Sequence, residues 1–480
     1  MNVSTLISDV RKMFSTSSGQ ASCRTGMSAR ARSAAIAASI AEVWRSASPG
    51  GGPDPACPSL PRLACDAAVR HVAAMTQPGA RILIATFGSR GDVDPMIAVG
   101  RGLRRRGHRV TIATSAMYAQ LVESYELSFA AVRPNLAEML INSRELLDPE
   151  FGTEYLIREM ALPFLDESHA DLLAAARGAD LLLTHMLTFA GPIVGEQLGL
   201  PWVSTILAPM WLAPVDAQTR ETRRAWVRPV DRLRNRLGLA DAGHPLFEGQ
   251  HAPELALALF SEAFAAPEPT WPAGLRATGF CLLDQPSSEM PPELARFLDS
   301  GPPPIVFTLG SLAIWDPGRF YAEAARAATA LGRRAVLLTG RRENLPPREL
   351  LSESVVAFEY APYGPVFARA AAVVHQGGIG TMSNVLRAGK PMVIVPFAHD
   401  QADNAARAAA LGVGRVLPRD EFEVGRVAAE LQRVLGDAEA CARAAALGRR
   451  ITAEDGVATA CDLLEARLLG SMRVASRVPT

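Results

Sequence analysis

The strongest constraint on this chain is an alternation that runs through it twice. From Arg81, the run RILIATF is apolar throughout, as expected for a parallel strand buried on both faces. The stretch DPMIAVGRGLRRRGH follows with helical periodicity, and Asp94 is expected to cap that helix with Pro95 at its first position. RVTIATS, SFAAVR, DLLLTH and PWVSTILAP continue as strands, with the helical FAGPIVGEQLGL between the last two. The same grammar restarts with IVFTLGS, a helix over about 317–331, RAVLLTG, VVAFEYA, AAVVHQGG, another helix and PMVIVPF. Strands of this kind need helices on both faces, so the fold class is α/β with doubly wound parallel sheets.

At 480 residues the chain exceeds one ordinary core. Two Rossmann-like domains are expected, joined by the proline-rich CLLDQPSSEMPPELARFLDSGPPP. The divisions are 77–280 for the N-terminal domain, 281–304 for the linker, 305–452 for the C-terminal domain, and 453–480 for a terminal helix and tail packing back on the N-terminal domain. Residues 1–76 are different in texture: rich in Ser, Ala, Gly and Pro, poor in acids, and carrying stretches such as SASPGGGPDPACPS. They are expected to be a disordered or non-native extension, with a short amphipathic helix around Ala34–Trp44 and Met75 as an alternative start.

The formal net charge is zero, which gives no basic footprint for nucleic acid. The six cysteines are scattered without a C-x-x-C pair, so neither a zinc site nor a disulfide framework is expected, and a reducing, cytoplasmic compartment fits. No apolar run approaches the roughly 18 residues of a membrane helix, which leaves only peripheral contact with a membrane.

Chemistry is expected at three places. In TFGSRGDVDP, Gly88 and Gly91 permit a tight turn that carries Arg90 and Asp92 above the sheet edge. A dinucleotide fingerprint would need a third glycine and an acid ending the second strand, and neither is present. Asp92 is a candidate general base or a turn former bonded to its own backbone. In HQGGIGT, Gly377, Gly378 and Gly380 stand where a helix begins, so exposed N–H groups and the positive end of the dipole suit a phosphate. Thr381 and Ser383 add hydroxyls there, and His375 ends the strand. In PFAHDQADNAAR, Asp400 and Gln401 pair an acceptor-only group with one that donates and accepts, which suits sugar hydroxyls, while Asp400 is also placed to cap the next helix.

Together, GSRGDVDP and HQGGIGT…AGKP…VPFAHDQADNA resemble the GT-B, nucleotide-sugar-dependent glycosyltransferases of family 1, over roughly 81–469. They look most like the bacterial sterol-glucosyltransferase-like enzymes, the rhamnolipid rhamnosyltransferase and the glycosyltransferases of antibiotic aglycones. The resemblance implies two Rossmann-like domains facing a central cleft. It also implies that His375, Gly377, Gly378, Gly380, Thr381 and Ser311 hold the donor diphosphate. Tyr360, Ala361 and Pro362 would hold the base, with Tyr360 and Tyr363 as stacking rings, and Asp400 and Gln401 would hold the sugar. Asp92 stands where such enzymes have a base, and Arg90 and His185 lie on the acceptor side. His185 is an alternative base or a cleft-lining residue. Gln376 departs from a second histidine common in the family.

The implied reaction is an inverting, metal-independent hexose transfer from a UDP- or dTDP-sugar to a hydroxyl of an apolar acceptor. The nucleotide sugar is a co-substrate and no cofactor is called for; the chain would act as a monomer or homodimer. The segment 210–253 is expected on the acceptor side. The alternatives left open are a non-catalytic GT-B-like binding protein, a sugar-nucleotide epimerase and a cell-wall glycosyltransferase.

Overall fold

The computed structural model describes residues 79–139, 143–284 and 290–475. The expectations for residues 1–76, including the helix around Ala34–Trp44, fall outside them. Residues 79–480 form one compact unit.

Two wholly parallel sheets organise this unit. The first has seven strands in the order β3-β2-β1-β4-β5-β6-β7: β1 Arg81–Ala85, β2 Arg109–Thr114, β3 Ser128–Ala131, β4 Leu181–His185, β5 Trp202–Ile206, β6 Ala256–Ala258 and β7 Leu275–Ala277. The second has six in the order β10-β9-β8-β11-β12-β13: β8 Ile305–Thr308, β9 Ala335–Leu338, β10 Val355–Phe358, β11 Ala372–His375, β12 Met392–Ile394 and β13 Gly414–Val416. The continuous apolar runs are buried as their composition requires: Ile82, Leu83, Ile84, Leu181, Leu182, Leu183, Val306, Phe307, Val373 and Val374 are nearly inaccessible.

The principal helices are α1 Arg90–Arg105, α2 Leu165–Ala176, α3 Ala190–Leu198, α4 Ala217–Arg236, α5 Pro292–Asp299, α6 Phe320–Ala330, α7 Tyr363–Ala368, α8 Ile379–Arg387, α9 Gln401–Ala410, α10 Val424–Gly436, α11 Ala438–Thr452 and α12 Gly456–Ala475. The fold class expected from the sequence is therefore observed, with differences in detail. The proline-rich stretch contains α5, which buries Leu294, Phe297 and Leu298. The last helix, α12, packs on α1, where Arg106 reaches Asp462 and Glu465, and Cys461 Sγ meets the Val99 carbonyl.

Both sheets reverse their strand order at one point, between β1 and β4 in the first and between β8 and β11 in the second. The loops leaving such neighbouring strands diverge to opposite faces and open a crevice at the carboxyl ends. Every residue singled out around Asp92, His185, Ser311 and His375 follows one of these four strands.

Candidate functional site

The loop after β1 opens α1 differently from the sequence expectation. Ser89, not Asp94, is the N-cap, and Asp92 completes a capping box. The Ser89 backbone N–H donates to Asp92 Oδ2 at 2.7 Å, and the Ser89 hydroxyl lies 3.2 Å from the same oxygen. Pro95 consequently falls inside the helix. Asp94 faces Arg90 instead, in a two-pronged ion pair at 2.6 and 2.9 Å. Arg90 is thereby held by its own helix, close enough to Tyr360 to feel its hydroxyl. The S-x-x-D spacing of Ser89 and Asp92 was the available signal for this cap.

Asp92 also faces β4. Its Oδ1 lies 3.6 Å from His185 Nε2 at the end of that strand, and its side chain keeps 27% exposure. Burial raises its pKa from 3.8 to about 7, opposed by the Ser89 N–H and reinforced by the negative charge of Asp400. His185 is buried, which lowers its pKa to about 4 against the pull of the Phe87 carbonyl, so the imidazole is neutral at physiological pH. An imidazole whose pKa is held this low is a weak proton acceptor.

Across the crevice, α8 begins at Gly378 as its N-cap, as the glycine run implies. Its first turn meets the first turn of α1: a Cβ on Gly380 would come 3.1 Å from Gly91 Cα, an approach only glycine allows without displacement. The Ile379 N–H is taken by Asp400 Oδ2 at 3.2 Å, and the same oxygen accepts from Asn404 Nδ2 at 2.7 Å. Asp400 therefore occupies the cap position of α9 yet directs its carboxylate to α8. Burial, opposed by these bonds, raises its pKa to about 6.

Two side chains expected to touch a donor are turned inward. His375 is fully buried; its Nδ1 accepts from the Gly377 N–H at 3.1 Å, and its Nε2 lies 3.4 Å from Met392 Sδ. Burial lowers its pKa to about 3, so the imidazole is neutral and braces the glycine turn from inside. Gln401 is 3% exposed and its Oε1 accepts from the Phe397 and Ala398 N–H groups, so it staples its own loop. Packing partners 17 and 3–4 positions away decide both orientations.

The remaining expected residues lie in the segments that follow β8, β10 and β11. Ser311 lies in the turn after β8, beside the Gly310 N–H that donates to Thr308 Oγ1. Thr381 is buried, and Gln376 Nε2 lies 3.4 Å from its hydroxyl oxygen. Tyr360 is 48% exposed after β10, whereas Ala361 is buried and Pro362 caps α7. Tyr363 is unsuited to stack on a base: its ring packs on Phe367 and its hydroxyl contacts Thr308 Oγ1 at 3.0 Å. The turn Pro209–Leu212, from the segment expected near an acceptor, packs on α9. Among the described residues no group of three or more His, Cys, Asp or Glu is placed to hold a metal ion.

Residues 82–215 match the family model described as the glycosyltransferase family 28 N-terminal domain, and residues 335–461 match that of the erythromycin biosynthesis protein CIII-like C-terminal domain. The chain is 31% identical to O-mycaminosyltylonolide 6-deoxyallosyltransferase of Streptomyces fradiae over 80% of this chain and 97% of that protein. It is 28% identical to a sterol 3-beta-glucosyltransferase of Aspergillus fumigatus over 83% of its own length, but spans only 31% of that much longer protein. Among solved structures, the calicheamicin glycosyltransferase superposes with a TM-score of 0.64 at 23% identity, covering 83% of this chain and all of that one. A Streptomyces sp. SF2575 glycosyltransferase complexed with thymidine diphosphate gives 0.58 at 23% identity, covering 81% and 99%. With two parallel doubly wound sheets, facing switch-point loops and these relatives, the chain belongs to the GT-B glycosyltransferases of family 1.

Proposed function

We propose that the enzyme transfers a hexose from a nucleoside diphosphate sugar to a hydroxyl of an apolar small-molecule or lipid acceptor, with inversion and without a metal. The observation that carries this reading is the placement of Asp92 on one side of the crevice and the α8 N-terminus on the other. In the reaction, Asp92 accepts the proton of the acceptor hydroxyl as its oxygen bonds the anomeric carbon. The bond from that carbon to the phosphate oxygen breaks, and its electron pair leaves on the diphosphate. Base and leaving group on opposite sides of one carbon give a single displacement, hence inversion.

Residues 77–280 supply the acceptor side and 305–452 the donor side, with 281–304 joining them. The diphosphate rests on the amides of Gly378 and Gly380 and the hydroxyls of Thr381 and Ser311, where the helix dipole meets the charge that develops on departure. Oδ1 of Asp400 takes a sugar hydroxyl, since its known bonds fall on Oδ2. The half-exposed ring of Tyr360 lies against the base. A free aspartate is a feeble base, so the raised pKa of Asp92 brings it near the operating pH. Likeness to an O-mycaminosyltylonolide 6-deoxyallosyltransferase and to a sterol 3-beta-glucosyltransferase favours an apolar acceptor, and the thymidine diphosphate bound by a structural neighbour favours dTDP over UDP.

The test is incubation with dTDP- and UDP-hexoses and a panel of hydroxylated polyketides and sterols, read by mass spectrometry, beside thermal shifts with each nucleotide sugar. A hexose mass gain that disappears in Asp92→Asn while the nucleotide shift persists supports the reading. A protein that no nucleotide sugar stabilises overturns it.

A further inference from the structure

The loop that carries Asp400 is held from the opposite half of the molecule. His399, immediately before it, has a left-handed backbone with φ of 60°, a conformation uncommon outside glycine that the surroundings must support. The surroundings come from residues 143–161, which follow β3. Asp148 Oδ1 accepts from the Glu150 and Phe151 N–H groups and turns this segment back. Leu147, 1% exposed, then enters the core beneath the second sheet, beside Phe397 and Phe307. Gly152 lies so close to the Leu146 carbonyl, 2.5 Å from where a Cβ would be, that no other residue fits the turn unchanged. The result brings Thr153 Oγ1 to 3.2 Å from His399 Nδ1, while the Leu146 carbonyl faces the same ring. The other ring nitrogen, Nε2, is buried without a hydrogen-bond partner, so the ring's polar contacts, the Thr153 hydroxyl and the Leu146 carbonyl, both come from this segment.

We propose that Thr153 and His399 are positioning residues that latch the acceptor half to the donor-sugar loop, setting the placement of Asp400 from across the crevice. This rests on the proposed role of Asp400 toward the sugar. Leu147 supplies the apolar anchor of the latch and the Thr153–His399 bond its polar one. Because the latch acts on the sugar loop and not on the α8 seat, its loss affects the hexose and spares the nucleoside diphosphate.

Two variants test it, each removing one side of the bond. Thr153→Val is nearly isosteric, and His399→Asn keeps a residue tolerant of positive φ. Each is expected to raise the KM for the nucleotide sugar on the order of fivefold, in keeping with the loss of one hydrogen bond between sites in contact, with affinity for the free nucleoside diphosphate unchanged. The double variant is expected to be little worse than either single one. Fully additive effects, or a nucleoside diphosphate affinity that falls as far as the sugar KM rises, would overturn the latch. Hydrogen exchange of the whole chain, read at residues 396–404, decides the matter independently of turnover. Faster exchange there in Thr153→Val supports the latch, and unchanged exchange sinks it, even for a protein that proves to transfer no sugar.

Discussion

Asp92 and His185 approach within 3.6 Å at the ends of the two strands where the first sheet reverses its order. That separation is too long for a hydrogen bond in the free enzyme, yet such contacts tighten when substrate closes on them. Asp92, with its pKa raised to about 7, is the proposed base, and His185, with its pKa lowered to about 4, is the weaker proton acceptor of the pair. Asp92→Asn is therefore expected to lower sugar transfer by about 10²–10⁴-fold with nucleotide affinity retained. His185→Leu should cost less, on the order of tenfold, because the base itself remains. Steady-state rates beside calorimetric titration with dTDP or UDP separate the two. Equal losses would reassign the base.

The same pair sets a pH dependence. With Asp92 as the proposed base, transfer needs its carboxylate form, so kcat/KM should rise through about pH 7 and level off above it. Stability runs the other way. A carboxyl whose pKa rises on folding favours the folded state most below its unfolded value of 3.8, and that contribution is lost as pH climbs through about 7. Asp92→Asn should accordingly melt at a higher temperature than the parent at pH 8, with the difference shrinking towards pH 4. Melting curves at the two pH values check it; a variant less stable at pH 8 would contradict the burial of this charge.

Contact between the halves gives a steric prediction. Gly380→Ala would set its Cβ 3.1 Å from Gly91 Cα, and both are backbone positions with little freedom to yield. The variant is expected to fold with a near-normal melting temperature but to lose about tenfold or more of its transfer rate, as misplacement by a fraction of an ångström commonly does. A fully active variant would show that the halves separate during turnover at no cost.

Much of this was legible from sequence because buried parallel strands announce themselves as continuous apolar runs. RILIATF and AAVVHQGG needed no context. The three-residue strands ALA, LRA and GRV at β6, β7 and β13 carry no such signal and form only because a neighbouring strand offers its edge. At the site, residue types and spacing located the loops, but side-chain direction was decided by packing. Met392 draws His375 inward, and the Phe397 and Ala398 amides draw in Gln401. Asp94 reads as a cap because Pro95 follows it, but Ser89, with Asp92 three residues on, satisfies two helix-end donors and prevails.

The docking of α12 on α1 combines charge and packing, and the two should separate by magnitude. Glu465 accepts from Arg106 at 2.9 Å and lies 3.0 Å from His108, all partly exposed, while Leu464 beside it is fully buried. Exposed ion pairs contribute about 0–1 kcal/mol, whereas truncating a buried leucine costs about 2–5 kcal/mol. Glu465→Ala should thus weaken the fold slightly and lose that effect in high salt, where screening removes the pair's attraction in the parent as well. Leu464→Ala should destabilise the protein several times more, at any ionic strength. Denaturant unfolding at low and high salt measures both, and a Glu465→Ala loss as large as that of Leu464→Ala would mean that charge, not packing, holds this helix in place.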